Sequence, residues 1–470
     1  MNRPSSTLSA LLLLLVMTAT IAYKLWGGVM PLVVASVTLL AFLLLQWRSI
    51  NTTGKVMLGV ALVSLCLLNW SASPLQIATS AFSRSSFFAT FLVSLCFLRL
   101  AAKHSLMVKR CGKLVVNQPP ALRYGVISYA GTLFGTVLSF GVVHLIGQII
   151  DKGNSLDAAG GSVRIQNIRR QRMSLALHRG FSVLPLASPF SITMALMLAT
   201  IPGLEWQSLL PMGLTTAVML IGLGWGFDYF NNPKLAPIDA QYRGPDLSWL
   251  PALQFAGLIL AIFSVAALLA QMTILSLPLA ILMISPVVGI LWLTWGRRTA
   301  DTSVACRRTT HILRQQLPAE LNGLRSEIAI LSGASFIGVI IADLIPQHQL
   351  VQLVQTLGLT SAPLAIVACA LIPLFALTGI GPIVTVTVIA STLSSTTAFQ
   401  LPPELLAIGL MSGWALAMNS SPISLSALMV SNTTGCSTRD LTLNWNGRYS
   451  LVSFVCISLW LLLLSTTLTL

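Results

Sequence analysis

The sequence predicts an all-α polytopic membrane protein with about eleven transmembrane helices and two re-entrant hairpins in an inverted repeat. Three observations lead there. Of 470 residues, 55% are hydrophobic and only 8% charged, against roughly 25% charged in soluble domains, and the mean hydropathy is +0.85. Apolar windows of about 20 residues, the length that crosses a bilayer, recur along the whole chain. Finally, Ser188-Pro189-Phe190-Ser191 returns as Ser421-Pro422-Ile423-Ser424, an offset of 233 residues that also carries Gly180 onto Gly413. Proline removes a backbone donor and clashes with the preceding turn, so each copy breaks an apolar helix mid-span. In a membrane such a break survives only where protein or a watery cavity satisfies the freed groups.

Taken in order, spans are expected over about 8–26, 29–47, 56–75 and 87–102, after a short basic start at Met1-Asn2-Arg3. The first is read as a retained helix and not a cleaved signal, because another span follows at once and the loop charges require it. A basic segment with Lys103, Lys109, Arg110, Lys113 and Arg123 precedes the apolar stretch 124–150. A second, with Lys152, Arg164, Arg169, Arg170, Arg172 and Arg179, follows it. Positive charge marks the cytoplasmic side, so a stretch basic at both flanks enters and leaves by the same face: a re-entrant hairpin. The first broken helix is expected over 173–201 and a span over 209–227. A polar loop from Asp228 to Leu247, with Lys234 and Arg243, leads to spans over 250–271 and 277–296. The largest polar linker, 297–325, carries Arg297, Arg298, Arg307, Arg308, Arg314 and Arg325.

The second half repeats the order. A span over 328–345 ends near Asp343, and the apolar stretch 362–395 is interrupted at Thr378-Gly379-Ile380-Gly381-Pro382 and closes in hydroxyls that reach Thr397. No Lys or Arg occurs between Arg325 and Arg439, the pattern of a hairpin entering from outside. The second broken helix is expected over 403–433 and a last span over 449–468. Threaded this way, only Lys24 and Arg84 of the 27 basic residues fall outside, with the N-terminus cytoplasmic and the C-terminus external. The expected division is N-terminal helices at 1–55, a first repeat unit at 56–227, a connecting helix and loops at 228–276, and a second unit at 277–470.

The net charge of +15 is therefore a topology signal and not a nucleic-acid footprint. The seven cysteines have no paired spacing and read as reduced fillers, with no metal site. No metalloprotease, phosphate-loop or nucleophile-elbow motif appears, and carboxylates are too sparse for a paired acid and base, so the chain does not read as an enzyme.

This arrangement resembles the ion transporter superfamily, which includes divalent anion/sodium symporters, citrate and gluconate permeases and arsenite exporters. The resemblance spans position 56 to the C-terminus. It implies that hairpin tips and helix breaks meet near the bilayer midplane, bind an anion, often with sodium, and move as an elevator against a scaffold. The Ser-Asn-Thr signature that the dicarboxylate branch carries at its hairpin tips occurs here only at Ser431-Asn432-Thr433, outside them.

A broken helix exposes N–H groups at one half-helix start, which suit an oxyanion, and carbonyls at the other half-helix end, which suit a small cation. The expected substrate-binding residues are Ser188, Pro189, Ser191 and Thr193 at the first break. Asn419, Ser420, Ser421, Pro422 and Ser424 serve the second, with Thr136, Ser139, Thr378, Gly379 and Gly381 at the hairpins. His144 is the expected proton or ligand group, while His178 and Arg179 are placed as interfacial anchors. The reading is a secondary transporter of a small organic-acid-like anion in a bacterial inner membrane, coupled to Na⁺ or H⁺, with no resident cofactor. Its expected partners are the anion, membrane lipid and a second copy of the chain. The alternative is handling of a lipid or lipid-linked anion with the same fold.

Overall fold

The computed structural model describes residues 4–71, 73–116, 118–157, 159–231, 248–296, 302–359, 361–394, 399 and 401–468. Met1-Asn2-Arg3, Lys234, Arg243, Arg297, Arg298 and the hydroxyls from Ser395 to Thr397 lie outside them. No strand occurs among the described residues. The helices are α1 (Pro4–Trp26), α2 (Val29–Gln46), α3 (Thr52–Leu67), α4 (Pro74–His104), α5 (Leu106–Val116), α6 (Pro120–Leu138) and α7 (Gly141–Gly153). They continue with α8 (Val163–Ser182), α9 (Leu184–Ala187), α10 (Ile192–Thr200), α11 (Trp206–Asn231), α12 (Leu250–Met272), α13 (Leu277–Trp295) and α14 (Thr302–Gly323). The rest are α15 (Arg325–Leu344), α16 (Gln347–Thr356), α17 (Ser361–Leu377), α18 (Pro382–Ser394), α19 (Pro403–Ser420), α20 (Leu425–Thr434) and α21 (Gly447–Leu468).

Among the described residues, eight unbroken helices are long and apolar enough to cross a membrane. This is therefore a multi-pass membrane protein, and α3, α17 and α18 are apolar but shorter. The first helix pair lies where expected, α6 and α7 joined at Ser139-Phe140 and packed on one another; α17 and α18 are joined over 378–381, but α18 from Thr387 on groups with a different compact unit from α17.

Four boundaries differ from expectation, each for a physical reason. The third span stops at Leu67 and not near 75, because Pro74 cannot continue a helix but fits the first turn of a new one; α4 begins there and takes in Arg84. The basic stretch before the first broken helix is itself helical from Val163, capped by the Ser162 hydroxyl, which accepts from the Ile165 N–H. Asp228 is no loop residue: it is buried in the last turns of α11. The linker after α13 is mostly the helix α14, which buries Leu317 and Leu321 while Glu320 pairs with Lys103 at 2.6 Å. Period-3.6 apolar positions inside a polar run outweighed its charge.

The helices group into two compact units. The first comprises Met1–Ser105, Ala261–Leu353 and Thr387–Ala398, and α4 is its buried axis, with α1, α2, α13 and α15 packed on it. Lipid tails are as apolar as leucine, so close backbone approach and interhelical hydrogen bonds hold membrane helices together. Here Ser85 donates to the Ser332 carbonyl at 2.8 Å and Ser332 donates back at 3.3 Å. Phe82 meets Phe336 edge to face, centroids 5.0 Å apart.

The second unit comprises Leu106–Leu260, Val354–Val386 and Phe399–Leu470. It contains both helix breaks and both hairpin tips.

Candidate functional site: two helix breaks and a buried arginine

The two Ser-Pro-x-Ser copies fold alike. Ser188 and Ser421 end a half-helix in extended conformation, with φ −105°, ψ 120° and φ −89°, ψ 119°. Ser191 and Ser424 start the next one with φ −75°, ψ 146° and φ −61°, ψ 139°. Each of the latter is an N-cap: the Ser191 hydroxyl accepts from the Met194 N–H at 3.0 Å and that of Ser424 from the Ala427 N–H at 3.3 Å. Serine is a preferred N-cap because its hydroxyl satisfies one of the orphan donors. Proline between the two serines guarantees the gap, since it has no N–H to continue the helix. The repeat is thus a stop-and-restart device written twice.

Each broken helix is gripped by the first arm of a hairpin, and the matched glycines make the grip. A Cβ on Gly180 would collide with the Ser128 backbone of α6, and one on Gly413 would lie 2.6 Å from the Cys369 carbonyl of α17. Hydroxyls complete both seams. Ser128 and Thr132 of α6 donate to the Ala176 and Gly180 carbonyls at 3.0 and 2.7 Å. Ser421 donates to the Ala376 carbonyl of α17 at 2.8 Å.

The hairpin tips turn tightly. Ser139 holds φ 49°, with its N–H on the Gly135 carbonyl at 2.8 Å, and Thr136 returns its hydroxyl to Leu133 at 2.6 Å. In the other tip Gly379 takes φ 100°, a conformation open to glycine, Thr378 caps the Phe375 carbonyl at 2.8 Å, and Gly381 is part-buried. Thr193 is buried, Pro189 and Pro422 are part-buried, and Ser420 turns back to Leu416 at 2.8 Å. His144 sits on an exposed face of α7, its Nε2 paired with Gln148 at 2.9 Å.

His178 and Arg179 are not exposed side chains. Both are buried, at 0% and 4% exposure, because α8 continues well before them. The Arg179 guanidinium donates from Nε to Asn446 Oδ1 at 2.7 Å and from Nη1 to the Tyr124 hydroxyl at 3.1 Å and the Gly224 carbonyl at 3.4 Å. It lies 4.1 Å from the centre of the Tyr449 ring, a cation–π contact. Asn446 Nδ2 in turn donates to both oxygens of Asn419, backbone at 3.1 Å and side chain at 3.0 Å. No carboxylate pairs with Arg179 among the described residues. Asp228, one turn beyond Gly224, is held by Arg172 through two bonds of 2.9 and 2.6 Å. Neither ring nitrogen of His178 has a hydrogen-bond partner among the described residues. Through Asn446, Arg179 of the first broken helix is thus linked to the end of the first half of the second. The signal for this was a strongly basic residue inside an apolar stretch, read too close to its edge.

The fold has counterparts among solved structures. The crystal structure of the Alcanivorax borkumensis YdaH transporter, described as having an unusual topology, matches with a TM-score of 0.52 at 14% identity, covering 87% of this chain and 98% of that one. Neisseria gonorrhoeae MtrF, described with a class of antimetabolite efflux pumps, has a TM-score of 0.49 at 12% identity over 87% and 95% of the two chains. The likeness is one of fold. No protein-family model and no curated protein matches the chain.

Proposed function

We propose that this protein is a secondary active transporter of a small organic-acid-like anion, with the ion transporter architecture its sequence resembles. The observation that carries the reading is the doubled constellation in one compact unit: two helix breaks of like conformation, each held by the helix that precedes a tight turn. Discontinuous helices of this kind form substrate sites in transporters, and a fold shared with a transporter supports the same role over an enzymatic one. On this reading 56–227 and 277–470 are inverted repeats, after membrane helices at 1–55 and with a connecting segment at 228–276. The unit holding the breaks is the elevator and the unit built on α4 is its scaffold. The N-terminus is cytoplasmic, the C-terminus external, the membrane a bacterial inner membrane, and the working form a homodimer without a resident cofactor.

Within the site, the Ser191 and Ser424 hydroxyls cap the Met194 and Ala427 N–H groups, and the Ser424 O–H is donated to the Met418 carbonyl. An anion is therefore expected at the remaining N–H groups that open α10 and α20, including those of Thr193 and Ser426. The test is the thermal midpoint of purified protein against carboxylates, sugar acids, sulfate, phosphate and arsenite, each as its Na⁺ and K⁺ salt. A ligand that binds only the folded state raises the midpoint by mass action. One anion is expected to do so, less in Ser421→Ala, which loosens hairpin tip from break. A folded protein that responds to no soluble anion sinks the reading and turns the search to anionic lipids.

A further inference from the structure

In a broken helix the carbonyl end is where a small coupling cation belongs. At the end of α19 those carbonyls are already engaged. The Ala417 carbonyl accepts from the Ser421 N–H at 3.1 Å. That of Met418 accepts from the Ser424 and Ser426 hydroxyls at 3.1 and 3.3 Å. The Asn419 carbonyl accepts from Asn446, whose own Oδ1 accepts from the Arg179 guanidinium. One of these donors, Asn446, is thus held in turn by a cation that belongs to the chain.

The charge balance agrees. A desolvated guanidinium with no acid partner is strongly unfavourable unless something compensates it. Arg179 is in the last turn of α8 and is linked to the last turn of α19. Each helix C-terminus carries about half a negative charge, so the two together offset about one positive charge. The Tyr449 ring face adds to this. A Na⁺ placed at the same helix end would find the Met418 and Asn419 carbonyls already accepting from side-chain donors.

We propose that the Asn446 amide, held by the Arg179 guanidinium, fills the coupling-ion position at the second helix break, so that Na⁺ does not bind there. This rests on the transporter reading for its meaning. It makes the second break Na⁺-independent and leaves Na⁺ coupling, if the transporter has any, to the first.

The test needs no substrate, so it fails or succeeds separately from the anion panel. Full-length purified protein is titrated with NaCl against KCl at constant ionic strength, reading ²²Na⁺ retention and the thermal midpoint. The variants are Arg179→Met, which keeps a long stem without the charge, Arg179→Lys and Asn419→Ala. Wild type and Arg179→Lys are expected to show no Na⁺ binding that depends on Asn419. Arg179→Met is expected to gain Na⁺ retention and a higher midpoint in Na⁺ than in K⁺, and Arg179→Met combined with Asn419→Ala to lose both. Wild-type Na⁺ binding abolished by Asn419→Ala overturns the proposal. So does a folded Arg179→Met protein indifferent to Na⁺. If Arg179→Met does not fold, the comparison of wild type, Arg179→Lys and Asn419→Ala decides: Asn419-dependent Na⁺ binding in either arginine-site form refutes it, and its absence from both upholds it.

Discussion

The grip of α6 on the first broken helix makes Gly180→Ala a sharp test of the packing argument. An added methyl at Gly180 would have the Ser128 carbonyl oxygen, Cα and carbonyl carbon within overlap distance, with the Cα at 2.5 Å. These are backbone atoms in a helix bonded to α8 by Ser128 and Thr132, so no side chain can swing aside. Overpacking of one methyl costs about 1–3 kcal/mol where the surroundings give way, and this site is at the upper end. Against that, alanine gains about 1 kcal/mol over glycine in a helix interior. The net is a destabilisation of about 2 kcal/mol, from the balance of those two terms. Gly222, on an exposed face of α11 with nothing within 4 Å of a built Cβ, is the control: there only the propensity gain applies. The assay is the unfolding midpoint of both variants in detergent, beside wild type. Gly180→Ala should fall and Gly222→Ala should hold or rise. Equal shifts in the two, or a stabilised Gly180→Ala, would refute the seam.

Two further outcomes follow from named contacts. Asp228→Asn leaves the Arg172 guanidinium without its counter-charge beside a buried position, and breaking a buried pair costs about 3–5 kcal/mol; Arg172 keeps 20% side-chain exposure, so the lower part of that range is expected. The unfolding midpoint checks this, and Arg172→Leu combined with Asp228→Leu should recover most of the loss. Ser191→Ala and Ser424→Ala each remove an N-cap worth about 1 kcal/mol, and Ser424→Ala should cost more because that hydroxyl also donates to the Met418 carbonyl. Midpoints that do not order this way would show that the cap alone sets the loss.

Much of this architecture is legible in the chain itself. Hydrophobic length determines which segments span, loop charge separates a hairpin from a span, and proline placed between serines stops and restarts a helix whatever surrounds it. These are local or one-dimensional constraints, so α6–α7, α17–α18 and the two breaks lie where the sequence puts them. Partners are not local. That Gly180 and Gly413 are needed as gaps for the Ser128 and Cys369 backbones depends on helices 52 and 44 residues away in the chain. That α14 is a helix with a buried face depends on α1, α4 and α13 lying beneath it. Arg179 is the clearest case. In sequence it is one of many arginines flanking an apolar run, where solvation at the interface is the cheapest solution. Only the folded unit brings Tyr124, Asn446, Tyr449 and two helix C-termini around it, and a buried cation becomes affordable where donors, a ring face and two helix ends converge from segments spread over more than 300 residues of chain.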